Sequence, residues 1–249
     1  MPRLRVRRGE LSFLNLLPNL MTVGAICAGM TAIRFMVAGR AEMAVALIGV
    51  AVVLDGLDGR VARLLRSESQ IGAELDSLAD FLNFGVAPGF MMYFWALSEE
   101  RSFGWIAVLV YAVCCVLRLA RFNVHSRGGT LAGAAPDGYF TGVPAPAGGL
   151  LVMLPIFLGF AFPDAAPLPG VLTAGWMILV GGLMISRLPT FSLKAVSIRP
   201  EHARFALVGF VAVVAALLTY PWTTLVILDL AYLASLVFSW RAVRRSRTA

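Results

Sequence analysis

The sequence predicts an all-α polytopic membrane protein, a helix bundle with about eight transmembrane helices in total. Hydrophobic residues make up 59% of the 249 residues and charged residues only 14%, and the mean hydropathy is +0.82. Soluble domains are about 45–50% apolar and about 25% charged, and a chain this apolar does not stay disordered in water. The apolar residues also fall into long runs that short, turn-forming segments separate.

Each apolar run approaches the roughly 20 residues that cross a bilayer core about 30 Å thick. The first follows a basic segment and is too long for a cleaved signal, so we interpret it as an uncleaved helix. The last two runs allow a single hairpin as an alternative to two full spans. No soluble domain fits between the runs, so we predict one integral membrane catalytic domain over 1–249, with basic tails at 1–10 and 241–249. The runs are 14–38, 41–66, 72–97, 103–124, 143–162, 170–188, 203–219 and 222–240.

Basic residues are distributed unevenly along the chain, which has 21 Lys and Arg against 14 Asp and Glu. With the N-terminus in the cytoplasm, every basic residue except Arg34, Arg40 and Arg101 falls in a cytoplasmic segment. Basic loops are retained on that side of the membrane. We therefore predict a bacterial-type inner-membrane protein with both termini and its active site on the cytoplasmic side. The positive charge reflects this orientation, and we predict no nucleic-acid partner.

The second run carries acidic residues at a depth where they are costly. Met43 and Asp55 are 12 positions apart, which gives about 18 Å of helix at about 1.5 Å per residue. Because this is too short to cross the core, the helix must continue through Asp55 and Asp58. The third run begins with Asp76 and Asp80, at the same depth. Carboxylates there are functional candidates by default.

The spacing of these acids places each pair on one helix face. Asp55 and Asp58 are three residues apart, and Asp76 and Asp80 are four apart. Two adjacent antiparallel helices would bring four carboxylates together, where unpaired anions repel one another. Hard divalent cations such as Mg²⁺ or Mn²⁺ prefer such oxygen ligands, and two of them form a clamp suited to phosphoryl chemistry. The structural alternative is that the acids pair with the arginines that follow, which are Arg60, Arg63 and Arg66.

The segment 55–80 resembles the signature of the CDP-alcohol phosphatidyltransferase family. The pattern D-x-x-D-G-x-x-A-R-x8-G-x3-D-x3-D is matched in full by Asp55, Asp58, Gly59, Ala62, Arg63, Gly72, Asp76 and Asp80. The resemblance implies a six-helix membrane core, a homodimer and two divalent cations, Mg²⁺ or Mn²⁺. It also implies that the first three aspartates bind metal, and that Asp80 binds metal and acts as the general base.

The same resemblance implies where a CDP-lipid binds. The expected residues from the second and third runs are Gly59, Ala62, Arg63, Ser69 and Gly72. A Pro-Asn pair in the first run matches a position near the nucleotide, and a threonine follows it closely. Pro18, Asn19 and Thr22 occupy these positions. A proline inside a helix frees a carbonyl group, although an entry kink explains the pair equally well.

Three further stretches, 83–89, 118–123 and 139–146, resemble members of the family that use serine as the acceptor alcohol. A serine carboxylate needs a fixed cation and donors, which Arg118, Arg121 and Asn123 supply at a cytoplasmic helix end. The alternative is that both arginines snorkel to lipid headgroups.

The implied reaction is a metal-assisted direct displacement in the lipid bilayer. The substrates are CDP-diacylglycerol and L-serine, and the products are phosphatidylserine and CMP. Two rival interpretations stay open. The first is a phosphatidylglycerophosphate-type synthase with another acceptor alcohol, for which Lys194, Arg199 and Arg204 supply added cations. The second is a divalent-cation transporter, since intramembrane acids also line permeation paths.

Overall fold

The computed structural model describes residues 13–126, 139–191 and 203–246, and helices occupy most of these ranges. The predictions for the tail 1–10, for 247–249, and for Lys194 and Arg199 concern residues outside the described ranges. The α-helices are α1 (Phe13–Val37), α2 (Ala41–Leu65), α3 (Gln70–Asp80), α4 (Ala87–Met92), α5 (Arg101–Ser126), α6 (Ala145–Val152), α7 (Leu154–Ala161), α8 (Gly170–Ile185), α9 (Ala203–Thr219) and α10 (Pro221–Ser246).

The helices combine into eight rods that correspond one by one to the eight predicted runs. Two π-helical segments, Phe81–Val86 and Tyr93–Leu97, join α3 and α4 into a single rod, and α6 and α7 form another that is interrupted at Met153. The last two runs are separate helices, α9 and α10, which meet at Tyr220. The prediction of an all-α polytopic membrane protein is confirmed.

Three helices among the described residues are long and apolar enough, by length and composition alone, to cross a membrane. They are Leu16–Val37, Ser102–Val124 and Pro221–Arg241, and two shorter apolar helices are Gly170–Ile185 and Arg204–Thr219. The other rods are interrupted or carry charge. The third is divided by its π-helical segments, the fifth breaks at Met153, and α2 carries Asp55 and Asp58 in its second half.

Small residues let the rods approach one another closely, as is common in membrane bundles. Ala25 and Ala28 of α1 are buried with Ala51 of α2. A Cβ atom on Gly149 would lie 3.1 Å from Phe84 Cα, and one on Gly181 would lie 3.2 Å from Cys114 Cβ. The glycines therefore set the spacing between α6 and the π-helical segment and between α8 and α5.

The first π-helical segment begins directly after Asp80 and is fixed by a buried tyrosine. Tyr111 of α5 is fully buried, and its hydroxyl donates a hydrogen bond of 2.6 Å to the carbonyl oxygen of Phe84. A π-turn leaves backbone groups outside the regular helical pattern and often occurs at functional sites. The Tyr111 contact satisfies one such carbonyl and links α5 to the helix that carries Asp80.

A short antiparallel pair of strands lies at the end of the bundle that carries the aspartates, which we call the acidic end. Strand β1 (Tyr139–Thr141) pairs with β2 (Pro189–Phe191). Gly142 follows β1 with a φ of +80°, and a Cβ atom there would lie 2.5 Å from the carbonyl oxygen of Met184. Only glycine fits this turn, which ties the segment after β1 to the end of α8.

Candidate active site

The four predicted aspartates lie together between α2 and α3. The carboxyl groups of Asp55 and Asp80 are within hydrogen-bonding distance of each other. Asp76 interacts electrostatically with both Asp55 and Asp58. The structure thus brings both helix faces together, as their spacing predicted.

Asp58 is a buried member of the cluster and accepts hydrogen bonds from two donors. Its side chain is 4% exposed. The Thr22 hydroxyl donates a hydrogen bond of 2.6 Å to Asp58 Oδ2, and the backbone N–H of Gly59 donates to Oδ1. These donors orient the carboxylate and leave its remaining lone pairs directed into the site. Thr22, predicted near the nucleotide, therefore also positions a carboxylate.

The donor set fits divalent cations, although the carboxyl groups do not form a closed ligand shell. Within the described residues, no group of three or more His, Cys, Asp or Glu side chains lies at metal-holding distances. The arrangement is instead the Asp55–Asp80 pair with Asp58 and Asp76 nearby. Asp80 Oδ1 is buried with no hydrogen-bond partner among the described residues. Facing carboxylates and an unpartnered oxygen are groups that a hard cation would satisfy.

The arginines that follow the aspartates in sequence do not neutralise them. Among the described residues, Arg118 of α5 interacts electrostatically with Asp80. No such interaction joins the four carboxyl groups to Arg60, Arg63 or Arg66. The structural alternative, in which the acids serve only as ion-pair partners of these arginines, therefore has no support in this part of the chain.

A cavity of about 280 Å³ opens beside the aspartates between α1, α2 and the start of α3. All eight residues predicted to bind a CDP-lipid line this cavity: Pro18, Asn19, Thr22, Gly59, Ala62, Arg63, Ser69 and Gly72. Asp58 and Asp76 line it as well, so the cavity and the acidic cluster are one continuous site.

Local structure explains several of these positions. Ser69 is the N-cap of α3, and its hydroxyl accepts a hydrogen bond of 3.0 Å from the N–H of Gly72. A Cβ atom on Gly72 would lie 3.0 Å from both Asn19 Oδ1 and Ser69 Oγ. Gly72 therefore leaves the space in which the polar groups of α1 and α3 meet.

Three residues that line the cavity were not predicted from the sequence, namely Ser67, Glu68 and Ala73. Ser67 and Glu68 follow Arg66, which ends α2 in the left-handed conformation at φ 52°. The short polar stretch between the two helices is the sequence feature that could have predicted Ser67 and Glu68, because it places their side chains next to the N-cap at Ser69.

The three residues predicted to bind an acceptor carboxylate have different surroundings. Arg118 is 9% exposed, acts on Asp80 and lies 5.4 Å from the ring centre of Phe122. A side chain buried to this extent does not snorkel to headgroups. Asn123 Nδ2 donates a hydrogen bond of 2.9 Å to Ser77 Oγ, which joins α5 to α3.

Arg121 contacts the C-terminal end of α8. Its Nη1 donates to the carbonyl oxygen of Ile185 at 2.9 Å, and its Nη2 donates to those of Ser186 at 3.2 Å and Met184 at 3.4 Å. Carbonyl groups at a helix end lack partners within the helix, so a guanidinium satisfies several of them at once. Of these two arginines, Arg118 interacts with Asp80, whereas Arg121 binds the end of α8.

We expect Arg121→Ala to lower the free energy of unfolding, because it removes donors to three carbonyl oxygens. Hydrogen bonds to a charged group contribute about 1.5–3 kcal/mol. Thermal unfolding in detergent micelles measures the effect. Arg34→Ala, which truncates an exposed arginine at the end of α1, is the matched control. Equal melting temperatures for the two variants would contradict the stabilising role.

Comparison with known proteins decides the family. The family model described as CDP-alcohol phosphatidyltransferase matches residues 15–188. The chain belongs to the CDP-alcohol phosphatidyltransferase family. The match includes the acidic cluster and the cavity. A second model, CDP-alcohol phosphatidyltransferase 2, matches residues 204–236 and so covers most of the α9–α10 hairpin of this family member.

Several curated members of the family are similar over most of this chain, and they share one name, CDP-diacylglycerol–serine O-phosphatidyltransferase. The protein from Mycobacterium tuberculosis is 40% identical over 96% of this chain and 82% of its own length. That from Mycobacterium leprae is 41% identical over 91% of this chain and 75% of its own length. That from Helicobacter pylori strain J99 is 37% identical over 72% of this chain and 73% of its own length.

Proposed function

We propose that this membrane enzyme transfers the phosphatidyl group of CDP-diacylglycerol to the hydroxyl of L-serine, which gives phosphatidylserine and CMP. The observation that carries the proposal is the identity of 40% over 96% of the chain to a relative named CDP-diacylglycerol–serine O-phosphatidyltransferase. The acidic cluster and its adjoining cavity, both within the matched region, supply a physical basis for the chemistry.

We assign the nucleotide and pyrophosphate of CDP-diacylglycerol to the cavity beside the aspartates. Arg63 lines the cavity and supplies a cation for a phosphate oxygen. Gly59 has no side chain, and a Cβ atom there would lie 3.7 Å from the Arg63 guanidinium. The backbone is therefore accessible to a bulky phosphate next to the cation that binds it.

Asp55, Asp58, Asp76 and Asp80 would hold two divalent cations, Mg²⁺ or Mn²⁺. When bound, such cations neutralise pyrophosphate charge and stabilise the negative charge that develops on the leaving CMP. Thr22 and the Gly59 N–H keep Asp58 in a fixed orientation for this task.

The chain's own residues move the proton in the proposed displacement. Asp80 accepts the proton of the serine hydroxyl through a carboxylate oxygen, as a general base. The serine oxygen forms a bond to the β-phosphorus, and the bond from that phosphorus to the bridging oxygen breaks. The electron pair of the broken bond leaves with CMP. Asp80 Oδ1 is free of hydrogen-bond partners in the described structure and is thus available for this role.

We place the acidic end of the bundle on the cytoplasmic side of the inner membrane, in accordance with the distribution of basic residues. CDP-diacylglycerol then enters from the membrane while serine enters from the cytoplasm. We further propose a homodimer, as the family resemblance implies.

An acceptor other than serine has weaker support. Among the three cations considered for glycerol phosphate, only Arg204 lies in the described residues, where it is exposed at the start of α9 and 5.0 Å from the ring centre of Phe205.

A transport function has weaker support than catalysis as well. The four aspartates occupy one end of the bundle, and the exposed acids Glu99 and Asp164 are in loops at the other end.

Incorporation of labelled serine into lipid tests the proposed function. Membrane vesicles that contain the protein and CDP-diacylglycerol should form a labelled lipid that comigrates with phosphatidylserine. Vesicles that contain Asp80→Asn serve as the matched control and should not. Label that stays in the aqueous phase with the wild-type protein would exclude serine as the acceptor.

We expect Gly72→Val to weaken CDP-diacylglycerol binding, because the new side chain would enter the space shared with Asn19 and Ser69. The KM for CDP-diacylglycerol should rise by about tenfold, which corresponds to about 1.4 kcal/mol, whereas the serine KM changes little. Gly175→Val on α8, where a Cβ atom has open space around it, is the control. A larger effect on serine than on CDP-diacylglycerol would argue against this use of the cavity.

We expect Arg118→Ala to raise the KM for serine by about tenfold or more, because a charged hydrogen bond contributes about 1.5–3 kcal/mol. The KM for CDP-diacylglycerol should change less. Steady-state kinetics with each substrate varied in turn measures both constants. Equal increases in the two constants would instead indicate that Arg118 anchors the lipid substrate.

A further inference from the structure

The buried face of α10 carries polar groups that the reaction described so far does not use. Asp229, Leu236 and Ser239 are 6%, 6% and 0% exposed and recur at helical spacing, whereas Leu228 and Phe238 are exposed on the opposite face. Tyr232 lies on the buried face, three residues after Asp229. Polar side chains inside a membrane bundle are costly and are functional candidates.

Tyr232 combines an apolar environment with an unsatisfied hydroxyl. It packs against the main hydrophobic core. Its hydroxyl is buried and has no hydrogen-bond partner among the described residues. Tyrosines in apolar surroundings usually find a partner for this group, so the hydroxyl keeps a hydrogen bond to offer to a ligand.

Arg118 links Tyr232 to the acidic end of the catalytic site. It interacts electrostatically with both Tyr232 and Asp80. Asp80 Oδ1 is buried and also without a hydrogen-bond partner among the described residues. Arg118 therefore lies within electrostatic range of two groups of different chemistry, a carboxylate that accepts and a phenol that donates.

This set is complementary to a small molecule with a hydroxyl at one end and a carboxylate at the other. The hydroxyl donates to the Asp80 carboxylate, and the carboxylate accepts from the Arg118 guanidinium. A carboxylate can accept more hydrogen bonds than one guanidinium donates. A phenol O–H near the guanidinium can donate one of the hydrogen bonds that are left.

We propose that Tyr232 is a specificity-determining residue of the acceptor site and donates a hydrogen bond to the acceptor carboxylate beside Arg118. The proposal rests on serine being the acceptor and deepens that function. It brings the α9–α10 hairpin, which follows the family match over 15–188 and is covered in large part by the second family model over 204–236, into the recognition of the acceptor.

Tyr232→Phe in the purified full-length protein tests the proposal, because the variant removes one hydroxyl and keeps the ring that packs in the core. The serine KM should rise by about tenfold, with the KM for CDP-diacylglycerol and the melting temperature unchanged. Tyr220→Phe, at an exposed tyrosine of the opposite end, is the matched control and should behave as wild type.

L-Serinamide provides a second measurement, because it keeps the hydroxyl and lacks the carboxylate. The preference of the wild-type protein for serine over serinamide should fall by about tenfold in Tyr232→Phe. In an Arg118→Ala background the same change should have a smaller effect, since both groups bind one carboxylate.

Two results would overturn the proposal in distinguishable ways. If the wild-type protein uses serine and Tyr232→Phe leaves both the serine KM and the serinamide preference unchanged, Tyr232 is a packing residue and the proposed function stands. If the wild-type protein transfers nothing to serine, both the proposed function and the assignment of Tyr232 fail.

Discussion

Replacing Asp80 by asparagine is expected to lower turnover by about 10²-fold or more, the scale of general-base catalysis, while CDP-diacylglycerol still binds. The amide keeps the size of the side chain and one oxygen ligand but does not accept the serine proton. The role follows from the position of Asp80, which faces Asp55 on one side and Arg118 on the other. Single-turnover rates and nucleotide-lipid binding, measured on one preparation, separate the two effects.

Asp164→Asn is the matched control, since Asp164 is exposed in a loop at the opposite end of the bundle. It should match the wild-type protein in both measurements. If Asp80→Asn loses lipid binding together with turnover, Asp80 is mainly a metal ligand and another group must take the proton.

Catalysis is also expected to require a divalent cation and to be abolished in Asp55→Asn, Asp58→Asn and Asp76→Asn. Each variant removes one charged carboxylate from a cluster whose members interact with one another, so the proposed metal binding should weaken as well. An excess of chelator should stop the wild-type reaction, and added Mg²⁺ or Mn²⁺ should restore it. Isothermal titration with Mn²⁺ measures the affinity directly.

Full turnover in excess chelator would contradict the metal requirement. A variant that loses activity but binds Mn²⁺ as tightly as the wild-type protein would remove that aspartate from the ligand set. Thr22→Val offers a milder comparison, because it deletes the hydroxyl that orients Asp58 and leaves every carboxylate in place.

The rods and the acidic cluster could be predicted from the sequence because each depends on a local pattern. Apolar runs of bilayer length set the helices, and the three- and four-residue spacings of the aspartates set their faces. The turn from Arg66 to Ser69 returns the chain to the bundle, where α3 packs against α1.

Other features were not predictable because they depend on contacts between distant segments. The role of Arg121 requires the end of α8, more than sixty residues later. The π-helical segment after Asp80 is stabilised by Tyr111 from a different rod. Pairing of β1 with β2 has no signal in strands of three residues.

Tyr232 illustrates the same limit. Along α10 it is one aromatic residue among many apolar ones, and aromatic residues are common in membrane helices. Only the fold places its hydroxyl beside Arg118, and only the unsatisfied hydrogen-bonding capacity of the buried group indicates a ligand.

Competition among acceptor alcohols tests the central claim most directly. Purified protein in lipid nanodiscs receives CDP-diacylglycerol, Mg²⁺ or Mn²⁺, and an equimolar mixture of L-serine, glycerol 3-phosphate and inositol phosphate, with CMP release and the lipid products measured together. We predict that CMP release depends on serine and equals the phosphatidylserine formed. Release of CMP that is matched by another phospholipid, or that proceeds equally well without serine, would contradict the account.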